Sequence, residues 1–190
     1  MEQMEMGFEI AGCIIAFITL CVTIYIPEKI KWEQRYAQLM SDYRSYDFAA
    51  AVQGVVDFFV KDCDRNIEKI KTAYEDRFTA EVDNENSKPS ERYSTDSVLH
   101  YQRRLLNCFY YELNECARSP FVGMRRVRSY FTEKEADILK ILYFMNKAVK
   151  ESSVLFKDIH SDEPVPKPRS STDMNTSIAR IYDSLRRRKK

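Results

Sequence analysis

Residues 10–26 read IAGCIIAFITLCVTIYI. The run carries no charge, and Thr19 and Thr23 are its polar interruptions. As a helix rising about 1.5 Å per residue it covers roughly 25 Å, against about 30 Å for a bilayer core. Gly7 and Phe8 can lengthen it, with Glu9 then at the interface. Phe8 and Tyr25 suit interfacial aromatic positions, and Pro27 ends or kinks the helix. The run is apolar on every face, whereas the stretches that follow alternate apolar and charged residues at helical spacing. That contrast predicts a membrane anchor over residues 1–27 in preference to a core helix of a soluble fold.

Other readings of the run fit less well. A cleaved secretory signal wants a basic start and a small-residue cleavage site after the apolar segment. Here Glu2, Glu5 and Glu9 precede the run and Pro27-Glu28-Lys29 follows it. Ile10-Ala11-Gly12-Cys13 looks like a lipoprotein cleavage box, yet it precedes the apolar segment. Lys29, Lys31 and Arg35 follow the run and no Lys or Arg precedes it, so the positive-inside rule predicts a cytoplasmic C-terminal side. Gly12 and Ala16 form a single small-xxx-small step, a weak dimerisation signal.

The rest of the chain reads as helix. With 4 Gly and 6 Pro in 190 residues, turns are few. Residues 28–46 place Ile30, Tyr36, Leu39, Met40 and Tyr43 at helical spacing, a juxtamembrane helix with Trp32 near the headgroups. Residues 47–156 are expected to form an irregular helical bundle. Asp47 is a candidate N-cap, followed by Phe48, Ala51, Val52, Val55, Phe58 and Phe59 on one face. Gly54 weakens that helix or permits close packing. Ile67, Ile70, Tyr74 and Phe78 continue the pattern, as one bent helix or as a second one. Residues 83–93 read as a loop, and Ser94–Asp96 offer caps for a helix to about Ala117. Its expected apolar face is Val98, Tyr101, Leu105, Cys108, Phe109, Leu113 and Cys116. Thr132 with Glu135 forms a capping-box pattern before Ala136–Val149.

Residues 157–190 change character. Three prolines in DEPVPKPRSSTDMNTS predict a flexible basic tail, with Ile178, Ile181, Tyr182 and Leu185 as a possible short stripe. From Lys167 onward the tail carries +6, leaving the remainder near −5, although the whole chain is +1. The class that emerges is all-α: a single N-terminal transmembrane helix, an irregular helical bundle and a disordered basic tail.

Candidate chemistry is sparse. The five cysteines are odd in number and lack a CxxC, so a disulfide framework is not expected and small buried apolar roles are. His100, Arg104 and Cys108 share a helix face, but eight residues separate histidine from thiol by about 12 Å, too far for a nucleophile pair. No metal-ligand spacing, phosphate loop or cofactor motif is present in the sequence, so neither a catalytic residue, a metal nor a cofactor is assigned. Arg103, Arg104, Arg125, Arg126 and Arg128 are candidate anion-binding residues, should they converge on one cleft. Arg104 paired with a carboxylate such as Glu112 is the plainer expectation. Arg186, Arg187, Arg188, Lys189 and Lys190 are candidate contacts to anionic lipid. Nucleic acid is the weaker partner for them, because aromatic residues do not interleave these charges.

Arg103-Arg104, Asn107-Cys108-Phe109-Tyr110, Glu112-Leu113, Tyr130-Phe131-Thr132-Glu133 and Ile138-Leu139-Lys140-Ile141 loosely resemble a group of bacterial proteins of unknown function. Members of that group place one N-terminal membrane helix before a small helical domain. The resemblance covers about a quarter of the chain and implies architecture only. With it, the expected location is the cell inner membrane, N-terminus outside. The expected role is a membrane-tethered interaction or accessory protein that binds a protein partner or a second copy. The alternative is a phosphate or small-ligand sensor or enzyme with an Arg-lined pocket.

Overall fold

A computed structural model describes residues 12–87, 98–131, 133–151 and 174–187. Its first helix, α1 (Gly12–Tyr43), is long and apolar enough to cross a membrane. It passes through Pro27 without ending. Proline lacks an N–H and crowds the carbonyl four residues back, that of Thr23. A wider π-turn over Cys21–Tyr25 sits at this place and relieves the crowding. The two threonine hydroxyls are satisfied inside the helix: Thr19 Oγ1 donates to the Ile15 carbonyl and Thr23 Oγ1 to that of Thr19, both at 2.8 Å. Every residue from Gly12 to Lys31 is exposed, whereas Tyr36, Leu39 and Met40 are buried. One helix thus changes from an all-round apolar exterior to an amphipathic element that packs on the bundle.

The bundle follows. Helix α2 is Tyr46–Lys61, and a 3-10 turn at Ile67–Lys69 leads into α3 (Ile70–Ser87). Then come α4 (Leu99–Arg118), α5 (Gly123–Tyr130), α6 (Glu133–Glu151) and α7 (Met174–Arg186). The described residues contain no strand. The cap of α2 is Ser45, whose Oγ accepts the Phe48 N–H at 3.1 Å, so the helix starts before the expected Asp47. Phe48, Ala51, Val55 and Phe58 form its buried face. A Cβ on Gly54 would lie 1.9 Å from Gln102 Oε1, so glycine lets the Gln102 side chain of α4 lie against α2. The stretch left open as one helix or two is two, α2 and α3. Helix α3 runs on to Ser87, into the segment expected as a loop; residues 88–97, with the expected caps at 94–96, lie outside the described residues.

The apolar face of α4 differs from the sequence expectation. Leu105 and Cys108 are exposed, and the buried residues include Leu106, Asn107, Phe109, Tyr110, Leu113, Asn114, Cys116 and Ala117. The buried face is displaced by about one residue in its first half, because Asn107 and Asn114 lie on it alongside the apolar residues. Phe48 meets Phe109 with ring centroids 4.6 Å apart, and Tyr43 meets Phe131 at 5.1 Å, an aromatic cluster shared by α1, α2, α4 and the residue that follows α5. Thr132 lies outside the described residues, and Glu135 accepts a hydrogen bond from the Tyr43 hydroxyl at 2.9 Å.

The boundary drawn at residue 157 also needs correction. Residues 157–173 and 188–190 lie outside the described residues, but α7 belongs to the bundle. Ile178, Ile181 and Leu185 are buried in the main core. Ser177 Oγ, fully buried, accepts from Asn114 Nδ2 at 3.2 Å. The stripe read in the sequence supplies the apolar side that makes docking favourable. Ile181→Ala in the full chain in detergent is therefore expected to lower stability by about 2–5 kcal/mol, read by thermal or denaturant unfolding. A change below about 0.5 kcal/mol would mean that this segment behaves as a free tail.

Candidate functional site

Three contacts tie the exit of the apolar half of α1 to the α4–α5 corner. The Tyr25 ring meets Phe121 edge-on at 5.0 Å. Arg126 Nη1 donates to Glu33 Oε2 at 2.5 Å, and its guanidinium lies 4.8 Å from the Tyr36 ring centroid. Arg35 pairs with Glu112 and also lies 5.2 Å from the Trp32 ring. Going up α1, the partners of Tyr25 and Arg35 are residues 121 and 112. Helices α1 and α4 are therefore antiparallel, and α4 brings its C-terminal end to the apolar segment. The turn after α4 is held by Ser119, whose Oγ accepts from the N–H groups of Phe121 at 3.1 Å and Val122 at 3.4 Å. Gly123, with φ of 72°, takes the left-handed conformation that opens α5. This local chemistry sets Phe121 against Tyr25.

The five candidate arginines do not share one cleft. Arg103 faces α3 and α6: its Nε donates to the Tyr74 hydroxyl at 3.0 Å and its Nη1 to Asn146 Oδ1 at 2.6 Å. Arg126 faces α1, as above. Arg104 and Arg125 are exposed, and Arg128 is half-buried. The expected Arg104–Glu112 pair is not formed, because Glu112 is taken by Arg35, 77 residues earlier in the chain. Both members of that pair are more than a third exposed, so water screens it and it orients more than it stabilises. Of the tail residues, Arg186 donates from Nη1 to the Tyr182 hydroxyl at 2.8 Å and Arg187 is exposed; Arg188, Lys189 and Lys190 lie outside the described residues.

The polar interior is built from amides. Asn107 and Asn146 are buried and exchange two hydrogen bonds, each Nδ2 donating to the other's Oδ1 at 2.8 Å. Asn146 Oδ1 thus accepts from both Asn107 and Arg103. This satisfied set fixes how α4 and α6 register. Glu81 organises the other end of α4: its Oε1 accepts the Leu99 N–H at 3.0 Å and Arg77 Nε at 3.1 Å, and its Oε2 lies 3.6 Å from His100 Nδ1. His100 is largely buried beside Phe78 and Tyr101. Cys63 and Cys116 are buried, which pushes each thiol up to about 11 and makes its thiolate scarce. Burial, then the hydrogen bond to Glu135, raises the Tyr43 phenol to about 12. Cys13, Cys21 and Cys108 are exposed, unlike the small buried roles expected for them. Among the described residues no group of three His, Cys, Asp or Glu could hold a metal ion.

Among the described residues, two apolar concavities and one mixed one stand out. The first, about 340 Å³, lies against α1 and is lined by Leu20, Cys21, Ile24, Tyr25, Glu28 and Phe121. The second, about 280 Å³, runs between α6 and α7 beside Leu139, Tyr143, Phe144, Ile178 and Tyr182. The third, about 270 Å³, is polar and includes Asp57, Lys61, Asp62 and Arg77. Phe121 and Asn146 escaped the sequence reading, and Asn107 entered it only within the resemblance; the Ser119-Pro120 stop before a lone aromatic residue was the available signal for Phe121. No family model matches the chain, and no curated protein or solved structure matches it either.

Asn107→Leu leaves the Asn146 amide hydrogens without an acceptor in the core. It is expected to cost about 1–3 kcal/mol in denaturant unfolding of the full chain. Asn107→Leu combined with Asn146→Leu should cost less than the two single changes added together, since each single change strands one partner.

Proposed function

We propose that this chain is a membrane-tethered interaction protein, anchored by the first half of α1, whose bundle binds a protein partner. The observation that carries the reading is the exposure of α1. A helix apolar on all sides and unburied over Gly12–Lys31 is costly in water and favoured in lipid. The threonines, bonded within the helix, leave no hydroxyl seeking water. The charge asymmetry around the run supports a cytoplasmic bundle with the N-terminus outside. In the loose resemblance to bacterial membrane proteins, this side faces the interior of the cell across the inner membrane.

The groove between α6 and α7 is the proposed partner surface. It is apolar, open, and flanked by the exposed Tyr143. A rigid aromatic rim beside a shallow apolar groove suits a docked helix or loop. An enzyme would need an acid, base or nucleophile gathered at a cleft. Of the described groups, Cys63 and Cys116 are buried thiols, and Glu81, Glu112 and Tyr43 are held in hydrogen bonds between helices. Photo-crosslinking from position 143 in native membranes tests the reading. One abundant crosslinked partner is expected, and Lys140→Glu with Phe144→Glu should abolish it while the chain stays membrane-bound. Only diffuse labelling that these changes do not alter would refute this surface.

A further inference from the structure

The membrane-facing end of the bundle carries a second kind of surface. The α4–α5 corner reaches α1 at Tyr25, the last turn of the apolar run. Phe121 and α1 frame the 340 Å³ concavity, whose lining is apolar except for Glu28 at its outer edge. Just beyond lie several ionic groups. Glu28 pairs with Lys31 at 3.4 Å, Glu33 with Arg126 at 2.5 Å, and Glu115 with Arg118 at 3.3 Å. Lys29 and Arg125 are exposed, and neither forms an ion pair with a described carboxylate. Lys29 is four residues from Tyr25, about 6 Å along the helix, and Arg125 is four residues from Phe121 along the α4–α5 corner. With Tyr25 at the edge of the hydrocarbon, Lys29 falls at headgroup depth, and Arg125 adjoins Arg126, whose partner Glu33 lies one turn further along α1.

We propose that this corner docks an anionic phospholipid of the bilayer that holds α1. The upper acyl chain fills the concavity beside Phe121, and Lys29 and Arg125 pair with the phosphate. The proposal rests on the membrane reading of α1, and it moves the principal lipid contact from the C-terminal arginines and lysines to the α4–α5 corner. Its consequence is mechanical. Because α1 continues rigidly into the core, a headgroup held here fixes the tilt of the bundle, and with it the direction in which the α6–α7 groove faces.

The test uses the full chain in lipid nanodiscs, one set of phosphatidylcholine alone and one containing phosphatidylglycerol as well. Amide hydrogen exchange is followed over residues 121–130. Exchange there should slow about fivefold in the anionic discs. The double charge reversal Lys29→Glu and Arg125→Glu should remove the difference, while protection of the Leu106–Leu113 and Leu139–Met145 segments confirms that the bundle is folded. Equal exchange in both discs overturns the proposal. So does equal slowing in phosphatidylcholine discs on adding inorganic phosphate, which would mark a soluble-anion site. A chain that leaves the discs altogether overturns the membrane reading itself, a result distinct from the other two.

Discussion

A single helix here carries two kinds of surface. From Gly12 to Lys31 the side chains of α1 point outward on every side; from Tyr36 to Tyr43 one face is closed into the aromatic core. The switch occurs within two or three turns and without a break in the backbone. A flexible joint would let the bundle swing relative to the apolar segment. Continuous helix, with the π-turn absorbing Pro27, transmits orientation instead. The antiparallel α4 then locks that orientation, through Tyr25–Phe121 at one level and Arg35–Glu112 at another.

The bundle behind this junction is specified by polar groups as well as apolar ones. Buried apolar side chains from every helix, among them Phe48, Tyr74, Leu106, Leu113, Leu139 and Ile181, supply the bulk of the stabilisation. They do little to choose a register. The Asn107–Asn146 exchange, with Arg103 reaching the same oxygen, is satisfied in one relative placement of α4 and α6. Asn114 adds one link to α7, its Nδ2 donating to Ser177 Oγ. Misregistered alternatives would bury unpaired amides, at a cost comparable to that of a lost core methyl group or more.

Properties that are local in sequence were readable from it. The apolar run, the helical period of α2, α3 and α6, and the stripe of Ile178, Ile181 and Leu185 are patterns within a few turns. What escaped was set at long range. Asparagines 107 and 146 look like surface residues until their mutual bond is known, and that displaced the face assigned to α4. Glu112 seemed suited to Arg104 two turns away, yet its partner comes from α1. The stripe in α7 follows a proline-rich segment, which argued for a free tail; only the open side of α4 and α6 reveals where it lands. The arginines were grouped by sequence proximity, but helix geometry sends Arg103 and Arg126 to different neighbours. For the candidate site, the cations at Lys29 and Arg125 were visible one by one, and the Arg126–Glu33 pair that brings α5 beside α1 is set at long range.

Thiol accessibility probes the solvent around α1 most directly, because the chain carries its own reporters. Cys13 and Cys21 are exposed on the apolar segment and Cys108 is exposed on the bundle. Full-length protein in vesicles opened by freeze–thaw is treated with a membrane-impermeant maleimide, and each labelled peptide is identified by mass. If lipid surrounds the apolar segment, Cys108 labels readily while Cys13 and Cys21 label only after the bilayer is dissolved in denaturing detergent. Labelling of Cys21 as fast as Cys108, with the bilayer intact, would show that water surrounds the helix and would contradict the membrane reading.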